Sequence, residues 1–421
     1  MERYPKYDVI IIGGGPAGIA AAIRSKELGM KSILIESREI LGGVPLQCIH
    51  PGFGIHYFKE DLTGTEFISK LLKKMEDIGV RYLTRAHVHS IEVRSHNEKI
   101  INVITSEGVK RLETKTLIYA AGARERHIFE TNIVGDRPDG IYTAGEAQTL
   151  MDIYGIMPGK QVVVVGSGDV GLIMARRFAL EGAKVVAVIE MMPYPGGLLR
   201  NVVQCLRDYD IPLYLSHVVK KVSGRRRVEK VTVSRVDESL RPIKGTEFEL
   251  RCDTLILATG LIPNIDILER IGVIIDPATR GPVVNEFLET TVPGVFAAGN
   301  ALVINDSVDN VVNQGELAAE GAHIFIQNDG MPSTGWKPVK KGRNIRSAVP
   351  HYISGMRDVT FYARVRAPER MVEVRVPEVH FKRRLHSVRP AEMITFKLRK
   401  ELLASLKSPK VTLEVVRLCE K

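Results

Sequence analysis

The sequence predicts an α/β protein with two nested Rossmann-like dinucleotide-binding domains and a small β-rich C-terminal module. Three observations indicate this: an internal repeat, a glycine-rich loop in each copy of the repeat, and a change of sequence texture after residue 330. Each copy has an apolar strand, a glycine-rich turn, a helix and a strand that ends in glutamate, and later a second apolar strand that ends in glycine. Two copies imply two mononucleotide-binding folds with parallel sheets and flanking helices.

The first glycine-rich loop, Gly13-x-Gly15-x-x-Gly18, follows the apolar strand at residues 8–12 and opens an alanine-rich helix. In such a loop the first glycine permits a tight turn, the second lets the backbone approach a pyrophosphate, and the third allows close packing of helix on strand. The helix N-terminus favours the anionic phosphates. Glu36 ends the next strand, 18 residues past Gly18, where a carboxylate accepts hydrogen bonds from a ribose. These features predict a dinucleotide site.

The second loop, Gly166-x-Gly168-x-x-Gly171, repeats this pattern, and Glu190 follows 19 residues past its last glycine. A carboxylate at that place suits the free ribose hydroxyls of NAD and repels the 2′-phosphate of NADP. Residues 191–194 include no arginine that could bind a 2′-phosphate. We therefore predict NAD(H) in preference to NADP(H). A degenerate repeat that binds nothing is the alternative interpretation.

The order of the motifs predicts that the first domain is discontinuous. Between residues 331 and 344 the chain has the composition of a linker, and short runs with period-two alternation follow from Val359, Met371 and Met393. Such alternation indicates a small β-rich module. The predicted boundaries are residues 1–150 and 255–330 for the first domain, 151–254 for the NAD(H)-binding domain, and 331–421 for the module.

The composition excludes several classes of protein. The 421 residues are 44% hydrophobic and 26% charged, as in an ordinary globular protein, and no apolar run approaches the length of a membrane span. An apolar strand begins almost at the N-terminus and ends in glycines, so we expect no signal peptide and a cytoplasmic protein. The net charge of +10 is uneven, since residues 331–421 carry a balance of +13 and the rest −3.

The four cysteines, Cys48, Cys205, Cys252 and Cys419, show neither CxxC nor CxxxxC spacing. This spacing argues against a disulphide framework and against a cysteine-bound iron–sulphur cluster. It fits a reducing compartment.

Further motifs resemble the two-dinucleotide-binding-domain flavoproteins, which include the pyridine nucleotide–disulphide oxidoreductases. Gly42-Gly43 follows Glu36 at the usual short distance, residues 116–122 and 254–260 match the strand ends of the group, and residues 291–300 match its late FAD-binding segment. The resemblance covers about residues 8–320 and implies FAD at the first loop. It assigns FAD contacts to Gly13, Gly15, Pro16, Ala17, Gly18, Glu36, Gly42, Gly43, Val88, Ala121, Gly122, Gly299 and Asn300, and NAD contacts to Gly166, Gly168, Asp169, Val170, Gly171, Glu190 and Gly260.

Two positions depart from the pattern of this group. Asn300 stands where the group usually has an aspartate that contacts the ribityl chain, so the amide keeps hydrogen bonding but loses the charge. Ile173 stands where disulphide reductases commonly carry a glutamate near the nicotinamide.

The redox dithiol of the disulphide reductases is not expected here. The segment after Gly42-Gly43 contains one cysteine, Cys48, and the segment before the second loop contains none. A single thiol cannot form the internal disulphide of that chemistry. Two interpretations of Cys48 remain: an inert, partly buried cysteine, or a thiol that cycles through a sulphenic acid as in single-cysteine NADH oxidases and peroxidases. His50 and His56 in the same loop are candidate acid–base groups, and no metal site is expected because no third ligand accompanies them.

The segment at residues 42–64 and the β-rich tail resemble a subgroup of flavoprotein subunits. This subgroup includes the α-subunits of amine and sarcosine oxidases, opine and proline dehydrogenases, hydrogen cyanide synthase and glycerol-3-phosphate dehydrogenase-associated proteins. The resemblance implies an FAD-dependent oxidoreductase that passes electrons between NAD(H) and a partner redox subunit. The alternatives are a single-cysteine NADH oxidase or peroxidase that uses Cys48, and a non-catalytic interaction subunit that retains the fold.

The basic C-terminal module predicts an interface. A solvated basic face that packs against a partner subunit, or within a homo-oligomer, is the favoured interpretation. Nucleic acid is not expected, because neither aromatic interleaving nor a nucleic-acid-binding motif accompanies the charge. The basic residues concerned are Arg364, Arg366, Arg370, Arg375, Lys382, Arg383 and Arg384.

Overall fold

A computed structural model describes residues 4–332, 335–404 and 406–418 of the protein. The chain divides into two compact units. The first unit consists of Met1–Ala123 with Pro263–Lys421, and the second unit of Arg124–Ile262. The chain passes between the units through the short strands Ala123–Glu125 and Leu261–Pro263.

These boundaries differ from those predicted at residues 150, 255 and 330. The strand Ile141–Thr143 pairs in parallel with Thr254–Leu257, so the chain from residue 124 onward already belongs to the second unit. The C-terminal module is not a separate compact unit but part of the first one. Both differences come from contacts between residues far apart in sequence, which local patterns do not show.

The first unit is built on a sheet that is parallel at one side and antiparallel at the other. Its strands in spatial order are Tyr82–Leu83, Ser32–Ile35, Lys6–Ile12, Gly108–Tyr119, Glu98–Thr105 and His87–Ser95, and Val295–Ala297 also pairs with Gly108–Tyr119. The helices are Pro16–Glu27, Gly64–Asp77, Asp266–Arg270 and Val308–Asn328, and a small hairpin joins Pro51–Phe53 to Leu62–Thr63. A capping box between Thr63 and Glu66 begins the second of these helices.

The second unit contains the predicted parallel sheet of the other repeat. Its strands in spatial order are Ile141–Thr143, Thr254–Leu257, Gln161–Val165, Lys184–Glu190 and Leu213–Leu215. The helices are Ala144–Asp152, Asp169–Leu180 and Leu199–Cys205. A further sheet joins Val134–Gly135, His217–Ser223, Lys230–Arg235 and Phe248–Arg251. The predicted α/β architecture with two Rossmann-like folds is thus confirmed.

The C-terminal module is β-rich, as predicted. One sheet orders its strands as Tyr352–Ile353, Lys337–Lys341, Val411–Arg417, Glu369–Val376 and Phe381–Val388, and the other as Ile345–Val349, Val359–Val365 and Ile394–Leu398. The short helix Lys400–Ala404 follows. The three strands that alternation predicted are present. The charged strand Phe381–Val388 was not identified from sequence, because its only apolar residues are Phe381, Leu385 and Val388, which lie in or against the module's core.

The module packs tightly onto the rest of the first unit. Its Tyr362 and Val349 belong to the same apolar core as the first glycine-loop helix. The buried carboxylate of Glu286 accepts hydrogen bonds from the Ser354 hydroxyl at 2.6 Å and from its backbone N–H at 2.7 Å. Asp276, also buried, lies 3.3 Å from both His351 Nε2 and Lys341 Nζ. The module is therefore structurally part of the first unit.

The buried carboxyl of Glu289 makes the stability of the first unit depend on pH. Burial raises the pKa of this carboxyl from 4.5 to about 7, although Gly294 N–H and Asn285 Nδ2 donate to it. The folded state thus binds the proton more tightly than the unfolded chain, so the stabilisation is present below pH 4.5 and is lost as the pH rises through 7. The neighbouring Lys99, whose pKa burial lowers to about 8, titrates above this range.

We expect the free energy of unfolding to lose about 2 kcal/mol from this carboxyl between pH 5 and pH 7. The Glu289→Gln variant has no such proton to lose, so its stability should change less over the same range. Urea unfolding of both proteins at pH 5, 6 and 7 measures the difference in slope. Parallel slopes would contradict the assignment, whatever the absolute stability of the variant.

Candidate functional site

The three glycines of the first loop differ in what requires them. A Cβ atom on Gly13 would lie 2.3 Å from Ala120 O, and one on Gly18 would lie 1.8 Å from Gly13 O, so packing requires both glycines. A Cβ on Gly15 would meet no atom within 4 Å, and its φ of −80° suits any residue. Nothing in the protein itself therefore requires glycine at position 15. The open space beside Gly15 fits a ligand phosphate that approaches the backbone.

In the second loop too, packing requires the first and third glycines but not the second. A Cβ on Gly166 would lie 2.3 Å from Ala258 O, and one on Gly171 would lie 2.3 Å from Gly166 O. Gly168 has a φ of −63°, and a Cβ there would meet nothing within 4 Å. Its N–H makes no hydrogen bond within the described part of the chain. Each loop thus presents one glycine whose only evident use is to leave room for a ligand.

Each glutamate is held against its own loop in the same way. One oxygen of Glu36 accepts from Gly14 N–H at 2.6 Å, and the other accepts from Arg38 N–H at 2.7 Å. One oxygen of Glu190 accepts from the Ser167 N–H at 2.9 Å, and the other accepts from Met192 N–H at 2.8 Å. Both side chains are buried. The carboxylates are therefore fixed beside the loops, where the hydroxyls of a ribose can donate to their remaining lone pairs.

In each repeat, a pair of adjacent glycines follows the glutamate and hydrogen-bonds to the glycine-rich loop. Gly42 donates its N–H to Gly14 O at 2.8 Å, and Gly197 donates its N–H to Ser167 O at 2.7 Å. Sequence reasoning singled out Gly42-Gly43 but missed Gly196-Gly197. The signal was available, because each pair begins six residues after the glutamate of its repeat.

Asn300 belongs to a network of three amides. Its Oδ1 accepts from the backbone N–H of Asn305 at 3.0 Å, which fixes the orientation of the amide because an N–H can only donate. Asn305 in turn exchanges hydrogen bonds with the fully buried Gln314, whose Oε1 also accepts from Gly299 N–H at 3.0 Å. The Nδ2 group of Asn300 donates to nothing within the described residues. It is available to a hydroxyl or phosphate oxygen, so the loss of the aspartate charge is compatible with FAD.

The remaining predicted contact residues occupy several kinds of position. Ala121 O and Gly122 O accept from the side chain and backbone of Asn264, each at 3.0 Å, and Gly122 has a positive φ with open space around it. Gly260 is likewise open. Pro16, Ala17 and Val88 are buried.

Asp169 and Val170 begin the helix that follows the second loop, and their side chains have different surroundings. Val170 is exposed. Asp169 Oδ1 accepts from Leu198 N–H at 2.8 Å and from Asn201 Nδ2 at 2.6 Å. The Asp169 side chain therefore holds a neighbouring segment, and the sequence prediction of a direct NAD contact stays a prediction.

The candidate catalytic residues lie in the loop after Gly43. Cys48 is buried, and its Sγ lies 3.6 Å from Val44 O. His50 is more exposed, with Nδ1 at 2.9 Å from Pro51 O and its ring 5.4 Å from that of Phe53. His56 is exposed at the surface. The geometry gives Cys48 a buried main-chain environment, which supports the inert interpretation more than a solvent-accessible redox thiol.

Two further cysteines lie in the second unit, on opposite faces of its parallel sheet. Cys205 packs in one apolar cluster and Cys252 in another. Burial raises the pKa of Cys205 to about 11 and that of Cys252 to about 12. Neither thiol is therefore activated. Cys419 lies outside the described residues.

No group of three or more His, Cys, Asp or Glu side chains that could hold a metal ion occurs in the described ranges. Within those ranges, no helix is both long and apolar enough to cross a membrane.

Comparison with known proteins gives the following matches. The model of the pyridine nucleotide-disulphide oxidoreductase family matches residues 7–317. The chain is 27% identical to dihydrolipoyl dehydrogenase of Acholeplasma laidlawii over 70% of this chain and 90% of that protein. It is 28% identical to NAD(P)H sulfur oxidoreductase (CoA-dependent) of Pyrococcus abyssi over 70% of this chain and 62% of the relative. It is also 25% identical to one of the subunits of opine oxidase from Agrobacterium tumefaciens, over 75% of this chain and 65% of the relative.

Solved structures show the same fold. Thioredoxin reductase of T. acidophilum has a TM-score of 0.63 at 24% identity, and the match covers 76% of this chain and 98% of that one. L-proline dehydrogenase from P. horikoshii has a TM-score of 0.55 at 22% identity, with coverage of 78% and 57%. The C-terminal module lies beyond the residues that the family model matches.

The open glycines provide a direct test of the two sites. Gly15→Ala should fold but lose bound FAD, and Gly168→Ala should retain FAD but bind NAD⁺ at least about tenfold more weakly, because each methyl group occupies ligand space. Flavin absorbance per chain and calorimetric titration with NAD⁺ measure these effects. As the matched control, Gly18→Ala should fail to fold, since its methyl group meets Gly13 O at 1.8 Å. Full FAD content in Gly15→Ala would show that the cofactor lies elsewhere.

Proposed function

The chain belongs to the pyridine nucleotide-disulphide oxidoreductase family, which uses FAD and NAD(P)H, and on that premise we propose that it transfers electrons between NAD(H) and a partner redox subunit. The observation that carries the proposal is the pair of loops, each with one glycine open to a ligand and one buried glutamate held beside it. When bound, FAD supplies a ring that can take a hydride from a nicotinamide and pass the electrons on singly or in pairs.

The chain's own residues bind and orient the two dinucleotides. In the first unit, the backbone at Gly15 receives a diphosphate, Glu36 receives a ribose, and Asn300 offers its Nδ2 group. In the second unit, Gly168 and Glu190 have the corresponding roles. Because the acceptor oxygens of both glutamates are fixed by backbone N–H groups, little side-chain entropy is lost when a ribose binds.

The three cysteines that the structure describes support a reaction without a redox dithiol. Cys48 belongs to the first unit, whereas Cys205 and Cys252 lie on opposite faces of the second unit's sheet. The raised pKa values of the last two disfavour the thiolate that disulphide exchange requires. We therefore propose that electrons leave the protein through an acceptor other than an internal disulphide.

The partner is proposed from two observations. The similarity to one of the subunits of opine oxidase suggests that the chain works within a larger enzyme. The C-terminal module exposes Arg370, Lys382, Arg383 and Arg384, which fits an acidic partner surface. Arg364, predicted to belong to this face, is instead largely buried, and it donates to Ile304 O at 3.0 Å and pairs with Asp306.

Anaerobic titration tests the proposed donor. The flavin absorbance should bleach with near-stoichiometric NADH and much less readily with NADPH, because the Glu190 carboxylate repels a 2′-phosphate. Glu190→Ala should reduce this preference by about tenfold or more, since both the ribose acceptor and the repulsion are lost. A bound flavin that neither nucleotide reduces would refute the proposed function and direct attention to an organic substrate.

A Cys48→Ser variant separates the proposed function from single-cysteine oxidase or peroxidase chemistry. We expect the same rate of flavin reduction by NADH and the same rate of electron transfer to artificial acceptors in both proteins, because the buried Sγ contacts main chain. Stopped-flow absorbance and steady-state assays with oxygen and peroxide measure these rates. Loss of oxygen or peroxide turnover with flavin reduction intact would favour the alternative.

A further inference from the structure

The segment after Glu190 folds back over the second glycine loop. Gly196 donates its N–H to Ser167 Oγ at 2.8 Å, and the same hydroxyl donates to Glu190 Oε2 at 2.6 Å. Two residues further on, Asp169 Oδ1 accepts from Leu198 N–H at 2.8 Å. The segment is thus held at several points against the residues that begin the helix Asp169–Leu180.

Gly196 lies directly beside the open amide of the loop. A Cβ on Gly196 would be 3.4 Å from Gly168 N and 3.5 Å from the carbonyl carbon of Ser167. These are ordinary van der Waals distances, and Gly196 does not adopt a positive φ. Neither packing nor backbone conformation therefore explains a glycine here. By contrast, a Cβ on the adjacent Gly197 would lie 2.7 Å from Leu172 Cδ1 and 2.8 Å from Asp169 Oδ1, so packing requires that residue.

What a methyl group on Gly196 would change is access to Gly168 N–H, which has no hydrogen-bond partner within the described residues. A backbone N–H at the start of a helix is a strong donor to a phosphate oxygen. The first loop has a corresponding arrangement, since a Cβ on Gly43 would lie 3.0 Å from Gly15 Cα. Both open glycines are thus faced by another glycine from the segment that follows the glutamate.

We propose that Gly196 forms a second wall of the cradle for the diphosphate of NAD(H), and that Ser167 joins this wall to Glu190. The bare Cα of Gly196 leaves Gly168 N–H open to a phosphate oxygen. The Ser167 hydroxyl accepts from Gly196 and donates to Glu190, so one short segment positions the groups for the diphosphate and for the ribose. This inference rests on the proposed binding of NAD(H) at the second loop and adds Gly196 and Ser167 to it as positioning residues.

Calorimetric titration of the FAD-containing protein with NAD⁺ and NADP⁺ tests the inference. Gly196→Ala should raise the Kd for both nucleotides by about tenfold and leave their ratio unchanged, because the diphosphate is common to both. Its FAD content and its melting temperature without nucleotide should match those of the unsubstituted protein, since the methyl group makes only ordinary contacts. Equal affinity for NAD⁺ in the two proteins would overturn the inference.

Ser167→Ala tests the same cradle without adding atoms, so steric misfolding cannot explain its effect. It should weaken NAD⁺ binding and also reduce the preference over NADP⁺, because Glu190 loses one of its donors. An unchanged Kd and an unchanged preference would refute the link through Ser167. Failure of the unsubstituted protein to bind NAD⁺ would refute the proposed function itself, an outcome distinct from equal binding by protein and variants.

Discussion

The close approach of a helix to the strand before it is the constraint on which both sites depend. At Gly18 and Gly171 the nearest atom to an added Cβ is a backbone oxygen, at 1.8 Å and 2.3 Å. A backbone atom cannot move aside as a flexible side chain can, so any side chain would separate helix from strand. The approach brings the first amides of the helix to the end of the strand. There, one ligand can contact both the amides and the glutamate that ends the next strand.

The two sites are variations on this geometry rather than copies. In both, an oxygen of the glutamate accepts from the N–H of the residue between the first two glycines. That residue is Gly14 in the first loop and Ser167 in the second, and only the second has a hydroxyl to bridge the glutamate to the returning segment. Gly14 has no side chain to make such a bridge, so the returning segment is joined to the first loop through Gly42 N–H, which donates to Gly14 O. The two copies of the repeat thus differ in the hydrogen bonds that surround their glutamates.

The sequence predicted the fold class, the strands that precede the loops, and the glycines and glutamates, because each depends on local spacing. It could not predict where the units divide, since the pairing of Ile141–Thr143 with Thr254–Leu257 joins distant parts of the chain. Nor could it separate Gly15 and Gly168 from the glycines that packing requires, because that difference consists of the atoms around each Cβ. Gly196 was overlooked for a different reason, since the same six-residue spacing was recognised after Glu36 but not after Glu190.

The C-terminal module shows why charge alone is an incomplete guide. Arg364 looks like part of a basic surface, yet its guanidinium reaches the segment that follows Asn300 and pairs with Asp306 there. Tyr362, on the same strand, lies in the apolar core that includes the first glycine-loop helix, and burial raises its pKa to about 12. A strand of the module is thus connected through Arg364 to the segment that follows Asn300, one of the residues expected to hold FAD. A partner that docks on the exposed arginines would therefore act on a module that already supports this segment, and the support does not depend on the partner.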